Sequence, residues 1–229
     1  MKKNFTTFFG IISVAAALVF ALSCKKDAPR FCNCNPGELN ATPKVFTPNM
    51  TNPRGLKFGP DGRLYVAEGG VGGTHSTIGV CDQVPGAGPY TGSDTGARIS
   101  AIDRWGVRTT VADKIPSSVT APAVGSFVSG VADVAFIGNT LYGLLTSAGC
   151  SHGVPDYPNG VFRVNKNKTW TLINDLSTFY KNNPAKNPNP NDFEADGTPY
   201  SMISLDNRLF SIEPNHGELD EMLLKGKFR

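Results

Sequence analysis

Short runs of alternating apolar and polar residues, separated by turn residues, fill the chain from residue 53 onward. The first run is LKF at 56–58, which is followed by the turn sequence GPDG at 59–62 and by a second run, LYV, at 64–66. Alternation over a few residues on each side of a turn rich in Gly, Pro and Asp predicts a β-hairpin. We therefore expect the folded part of the chain to begin with two antiparallel strands.

The same hairpin returns twice, at 134–143 and at 202–211, with the turns GN and DN in place of GPDG. A second predicted hairpin follows each copy, at 98–111, 160–173 and 218–229. Three in-order copies of two hairpins joined by a loop of variable length are typical of the four-stranded blades of a β-propeller. An ordinary antiparallel sandwich is the alternative, and the in-order repetition argues against it.

The predicted fold class is thus all-β, with blades at about 53–112, 131–173 and 200–229 inside a propeller-like region at 43–229. The length of 229 residues fits one domain, and 25 Gly with 17 Pro are too many for a helical bundle. One turn of helix is predicted at 176–181, before a polar linker that runs to residue 191.

The first 23 residues predict export. A basic start with Lys2 and Lys3 precedes an almost wholly apolar run at 8–22, which is short for a membrane span and typical of a secretory signal. The run ends in ALSC at 21–24, which resembles the lipobox of bacterial lipoproteins and implies cleavage before Cys24 and acylation of that residue. A plain signal peptide, with Cys24 present by chance, is the alternative. Lys25 after the cysteine resembles an outer-membrane sorting pattern, so the expected location is the bacterial cell envelope as an outer-membrane lipoprotein.

Residues 24–42 are expected to form a flexible tether, because they lack periodicity and contain several breakers. Cys32 and Cys34 lie too close in sequence for an easy mutual disulfide and have no further metal ligands nearby, so their state stays open. The net charge is +3 for the whole chain. Loss of Lys2 and Lys3 with the signal leaves it close to neutral, which excludes strong nucleic-acid binding by bulk electrostatics.

Several segments together resemble the ScyD/ScyE family of propellers, which are similar to NHL-repeat and gluconolactonase-like proteins. They are NPRGLKFGPDGRLYVAE at 52–68, PYSM at 199–202 and EPNHGE at 213–218. The resemblance implies a six-bladed ring, of which this chain contains about three blades as an open arc. Residues 44–46, Lys-Val-Phe, are predicted to be the outer strand that closes such a ring. The expected product is therefore a truncated propeller that leaves two sheet faces open.

In a propeller, the loops entering the innermost strands and the loops between the second and third strands open on one face. The candidate ligand or metal face is made of residues in or next to those loops. Its members are Arg54, Glu68, Asp133, Glu213, Asn215 and His216. Oxygen ligands around a channel mouth are suited to Ca²⁺ or another divalent cation, although each side chain by itself is more simply a solvated loop residue. His75 and His152 lie in the same kind of loop.

Two cysteines of the predicted body lie in these loops, in neighbouring blades. Export permits oxidation, so we predict a disulfide between Cys81 and Cys150, with two separate thiols as the alternative. The motif GCSHG at 149–153 matches a nucleophile elbow, but prolines at 155 and 158 disfavour the helix that an elbow requires. The acidic segment at 192–197 fails as an EF-hand, because Ile203 stands where a bidentate Glu is needed.

Two functions remain open from the sequence. The favoured one is a membrane-tethered propeller that binds a small molecule or a protein through its loop face, since long variable loops on a rigid scaffold suit binding. The other is a metal-dependent hydrolase or lactonase of the gluconolactonase-like kind, with the metal activating water or polarising a carbonyl. No catalytic residue set is predicted, so an enzyme is the less favoured interpretation.

Overall fold

The alternating pattern folds into strands in the computed structural model, which describes residues 41–120, 127–146, 148–191 and 193–224. The chain divides into two units, Met1–Lys44 and Val45–Arg229, and all the described strands belong to the second. These strands form three antiparallel sheets, none of them closed. The first sheet contains β1 (Pro53–Phe58), β2 (Leu64–Glu68), β3 (His75–Ser76), β4 (Tyr90–Ile102), β5 (Arg108–Thr120) and β6 (Val128–Ser129). The second contains β7 (Val131–Ile137), β8 (Thr140–Leu145), β9 (Gly160–Val164) and β10 (Trp170–Asp175), and the third contains β11 (Ser201–Leu205), β12 (Arg208–Glu213) and β13 (Glu218–Leu223).

Each sheet is a meander in which strands that follow one another along the chain pair, except that β3 lies outside this order. The second sheet has the order β10-β9-β8-β7, and the third has the order β11-β12-β13. The first has the order β1-β2-β4-β5-β6, with β3 pairing beside β4. The three repeated hairpins predicted from the sequence are confirmed as the strand pairs β1/β2, β7/β8 and β11/β12.

Local turn chemistry explains the tightest of these hairpins. Leu205 pairs with Arg208, so the connection between β11 and β12 has two residues, Asp206 and Asn207, with φ angles of 50° and 61°. Asp and Asn tolerate positive φ better than most residues, and two such residues make the primed turn whose twist matches that of the strands.

The second sheet is apolar on both faces, which fixes its place between the other two. Successive residues of its strands point to opposite sides. Val134, Leu141 and Phe162 belong to a core cluster shared with the first sheet, while Ala135 and Tyr142 belong to a cluster shared with the third. The structure therefore has two hydrophobic layers, one on each side of the second sheet.

The helix α1 (Leu176–Asn182) follows β10 and confirms the predicted helical turn. Asp175 caps it by accepting a hydrogen bond from the backbone N–H of Thr178 at 2.8 Å. This satisfies one of the N–H groups that a helix start leaves without a partner. Leu176 and Tyr180 turn inward and extend the core between the second and third sheets.

Several boundaries differ from the expectation, and β4 already begins at Tyr90 rather than at 98. The prediction of an outer strand at 44–46 is wrong, because these residues form no strand and the side chains of Val45 and Phe46 are exposed. Prolines at 43 and 48 flank the segment and lack the N–H that a ladder needs. In addition, β5 continues to Thr120, beyond the predicted blade end at about 112. The predicted last strand at 227–229 lies outside the described residues.

The outer face of the third sheet is apolar and exposed. Its strands carry large side chains that face solvent at alternate positions: Ile203, Leu205, Ile212, Leu219 and Leu223. The opposite face of the same strands, with Met202, Leu209 and Met222, is buried against the second sheet.

Candidate functional site

The buried carboxylate of Glu68 is held by its own fold rather than presented to a ligand. Its oxygens accept hydrogen bonds from Arg98 Nε at 3.0 Å, Arg98 Nη2 at 2.9 Å and the backbone N–H of Thr51 at 2.7 Å, and from the hydroxyl of Ser100. Burial alone would raise the pKa of Glu68, but the hydrogen bonds from Arg98, Ser100 and Thr51 outweigh it and lower that pKa below its usual value. The sequence placed Glu68 on an open face, and the structure corrects this to a buried ion pair.

Glu213 repeats this arrangement in the third sheet. Like Glu68 it ends the second strand of its sheet, and its Oε1 accepts the backbone N–H of Thr198 at 2.8 Å from the loop that precedes β11. Its Oε2 lies 2.9 Å from Nδ1 of His216 and also accepts the backbone N–H of that residue. Both side chains are buried, and the His216 ring stacks on Tyr180 with centroids 4.9 Å apart. Neither residue lies on the open face that the sequence predicted.

Asp133 ties the first strands of neighbouring sheets together. Its Oδ1 accepts the backbone N–H of Val134, and its Oδ2 accepts that of Met202 in β11, both at 2.8 Å. On the other side, a Cβ added to Gly55 of β1 would lie 1.9 Å from Asp133 Oδ1, so only glycine fits beside this carboxylate. Burial raises the pKa of Asp133 despite these hydrogen bonds. Asp133 is thus a brace between β1, β7 and β11, and not a ligand of an open channel mouth.

Arg54 and Asn215 are the two predicted face residues that do line an open cleft. The cleft has a volume of about 600 Å³, within the range of small-molecule pockets. It is bounded by Arg54, Ala87, Tyr90, Phe127, Ser129, Thr146, Asn189, Glu194, Thr198, Tyr200, Pro214 and Asn215. Most of these residues come from loops and strand ends, so the cleft joins segments that are far apart in sequence.

The rings of Phe127 and Tyr200 are the exposed aromatic part of this lining, with 61% and 58% of each residue accessible. The polar part consists of one guanidinium, one carboxylate, two carboxamides and three hydroxyls of Ser and Thr side chains. Exposed aromatic rings beside convergent polar groups are the usual make-up of a binding cleft.

His152 lies behind the cleft rather than in it. Its ring is fully buried, contacts Tyr90 of the lining at a centroid distance of 4.3 Å, and brings Nε2 to 3.4 Å from Glu194 Oε2. Burial lowers the pKa of His152 to about 3, so the ring is neutral at physiological pH. His75 lies elsewhere, with Nδ1 2.8 Å from the carbonyl oxygen of Gly153.

A disulfide joins Cys81 and Cys150, the pair that the sequence predicted. Their Cα atoms are 6.3 Å apart, and the bridge links the loop before β4 to the 3-10 turn Cys150–His152. Thr77 of the first loop also donates its hydroxyl hydrogen to the carbonyl of Cys150. The bridge therefore fixes the loop that leads into Tyr90 against the turn that carries His152.

The described residues contain neither a cluster of metal-ligating side chains nor a helix that could span a membrane. Within residues 41–120, 127–146, 148–191 and 193–224, no three His, Cys, Asp or Glu side chains are grouped so that they could hold a metal ion. In the same ranges, no helix has the length and apolar character needed to cross a bilayer. Cys24, Cys32 and Cys34 lie outside the described residues.

Sequence reasoning missed the aromatic and amide residues of the cleft. Tyr200 belongs to the segment PYSM that was singled out, but nothing in its spacing showed that the ring would face a cleft. Asn189 and Glu194 lie in or near the segment interpreted as a polar linker, and only the folded chain brings them beside Arg54.

No family model, curated protein or solved structure matches this chain.

Proposed function

We propose that this chain is an exported, lipid-anchored protein of the bacterial cell envelope, whose sheets form part of a β-propeller and whose loop-face cleft binds a saccharide. The observation that carries the binding proposal is the cleft of about 600 Å³ with exposed Phe127 and Tyr200 rings among Arg, Asn, Glu, Ser and Thr side chains.

The propeller arrangement is supported by repetition and by the inner strands. Each sheet is a meander of antiparallel strands, and the first strand of the second sheet, β7, contacts the first strands of the other two, β1 and β11. Asp133 of β7 contacts both Gly55 of β1 and Met202 of β11, which is the relation expected of innermost strands around a common axis. The first and third sheets pack on opposite faces of the second, as neighbouring blades do.

Saccharide binding follows from the two kinds of group in the lining. A sugar ring has faces of C–H groups, which pack against the negative face of an aromatic ring such as Tyr200. Its hydroxyls both donate and accept, and Asn and Arg side chains offer paired atoms that suit neighbouring hydroxyls. The Cys81–Cys150 disulfide and the hydrogen bonds of Asp133 fix the segments that surround the cleft. Ligand binding should therefore cost little conformational entropy of the protein.

Titration calorimetry of the mature protein with a panel of neutral and acidic disaccharides tests the proposal. We expect at least one member of the panel to bind, and Tyr200→Ala to weaken that binding about 3- to 10-fold through loss of the ring contact. Phe58→Ala is the matched control, since Phe58 is an exposed aromatic residue of β1 outside the cleft lining. A panel without any binder, or equal losses in both variants, would contradict the proposal.

The lipid anchor has a separate test. The apolar run that ends at ALSC predicts removal of residues 1–23 and attachment of diacylglycerol and an acyl chain to Cys24. More than one chain is needed for stable anchoring, so the mature protein should fractionate with membranes. Intact-mass spectrometry should show the added lipid mass, and Cys24→Ser should abolish it. A wild-type product with an unmodified Cys24 in the aqueous fraction would refute the anchor.

A further inference from the structure

We infer that the saccharide bound in the cleft is an acidic one, a uronate with a single carboxylate near the binding centre, and that Arg54 is the group that pairs with it. This inference rests on the proposed function and adds the chemical class of its ligand.

Arg54 is a fixed cation. Its Nη2 donates to the carbonyl of Val128 and lies 3.4 Å from the hydroxyl of Ser129, so β6 holds one arm of the guanidinium. A Cβ added to Gly69 would lie 3.6 Å from Arg54 Nε, so the backbone at Gly69 passes beside the guanidinium. A guanidinium held in this way presents its remaining donors in a constant direction, which reduces the freedom lost when a ligand binds.

The charge of Arg54 is not compensated by an acid in the part of the chain that the structure describes. Four other arginines form ion pairs there: Arg63, Arg98, Arg108 and Arg208. Arg98, for example, donates two hydrogen bonds to Glu68, from Nε and Nη2. Arg54 has no such partner among the same residues, and its Nε and Nη1 form no hydrogen bond with them. A half-buried guanidinium favours a carboxylate, which accepts two parallel N–H bonds from its planar fork.

The rest of the lining selects the body of the ligand. Tyr200 and Phe127 provide apolar surface for a ring, and the Ser, Thr and Asn side chains match hydroxyls. Glu194 is the other charged lining residue; it is largely buried beside His152, and its charge disfavours a second anionic group in the cleft. One carboxylate on a hydroxyl-rich ring satisfies all of these groups together, and a uronic acid carries both on one ring.

The decisive comparison is between the methyl glycoside of galacturonic acid, which carries one carboxylate, and its methyl ester, which shares the sugar ring and lacks the charge. We expect titration calorimetry to show that wild-type protein binds the free acid about 10- to 100-fold more tightly than the ester, the range of a charge-assisted hydrogen bond. Added salt should weaken binding of the acid and leave the ester unchanged, because only the acid forms an ion pair.

Variants assign the effect to Arg54. Arg54→Gln should remove the preference for the acid, and Arg54→Lys, which keeps the charge, should retain part of it. Arg163→Gln is the matched control, because Arg163 is exposed on β9 and lies outside the cleft lining. Thermal melts verify that each variant is folded, and the wild-type comparison of acid with ester stands even if Arg54→Gln does not fold.

The possible outcomes separate the uronate inference from saccharide binding itself. Equal binding of acid and ester, or a preference that persists in folded Arg54→Gln, overturns the uronate inference while saccharide binding stands. Absence of binding for both compounds also overturns it, and the neutral disaccharides galactobiose and cellobiose then show whether the cleft binds sugars at all.

Discussion

Glu68→Ala should lower the free energy of unfolding by about 3 kcal/mol, the lower end of the cost of removing one partner from a buried ion pair, because the side chain of Arg98 keeps 29% of its surface exposed. The substitution leaves the guanidinium of Arg98 and the N–H of Thr51 without their acceptor. It also removes an ion-pair partner from Arg108, whose Nη1 lies 3.6 Å from Glu68 Oε2. Urea denaturation of wild type and variant measures the difference directly.

Glu221→Ala is the matched control for this prediction. Glu221 also pairs with an arginine, Arg208, at 2.9 Å, but both side chains are substantially exposed. Exposed pairs contribute about 0–1 kcal/mol, so this variant should remain close to wild type. Equal and small losses in both variants would show that the Glu68 network does not stabilise the fold.

The same pair has a defined pH dependence. The pKa of Glu68 is lower in the folded chain than the ordinary 4.5. The ionised carboxylate therefore contributes fully to the free energy of unfolding above pH 4.5, and this contribution disappears as the pH falls through the folded-state pKa. The difference in free energy of unfolding between wild type and Glu68→Ala should therefore be largest at neutral pH and should shrink at acidic pH.

Replacing both Cys81 and Cys150 with serine should cost ~4 kcal/mol of stability, because the bridge closes a loop across a sequence separation of 69 residues. Reductant should destabilise the wild-type protein by a similar amount in chemical denaturation. The double variant is its own control, since reductant has no bridge to break there.

Thiol mapping checks the same bridge chemically. Peptides from unreduced, exported protein should contain Cys81 joined to Cys150, and alkylation without reduction should label neither. Free thiols at both positions, or a wild-type stability that reductant leaves unchanged, would contradict the bridge as a stabilising element.

The hairpins could be predicted from the sequence because their signals are local. The turn Asp206-Asn207 and the alternation on each side of it require no knowledge of the rest of the chain. The strand expected at 44–46 failed for the opposite reason, since a strand exists only where another strand pairs with it, and the flanking prolines limit pairing.

The candidate site was predicted only in part. The start of a predicted innermost strand identified Arg54 and loop position identified Asn215, and both reach the cleft. Loop position also selected Glu68 and Glu213, whose partners depend on tertiary contacts. Whether a carboxylate in a loop is solvated, coordinated or buried against an arginine depends on tertiary contacts, and a single sequence does not display them. The aromatic rings of the cleft were missed because nothing local separates an exposed ring from a core ring.

The two apolar faces of the second sheet have a consequence for cooperativity. A sheet that is buried on both sides cannot keep its strands once either neighbour has left, since the uncovered layer would face water. Its hairpins are local and can form early, but they gain stability only when sheets on both sides dock. Folding of the three sheets is therefore coupled through the middle one. A destabilising substitution in the core of the first sheet should also lower the stability of the third sheet, although the two sheets share no hydrophobic layer.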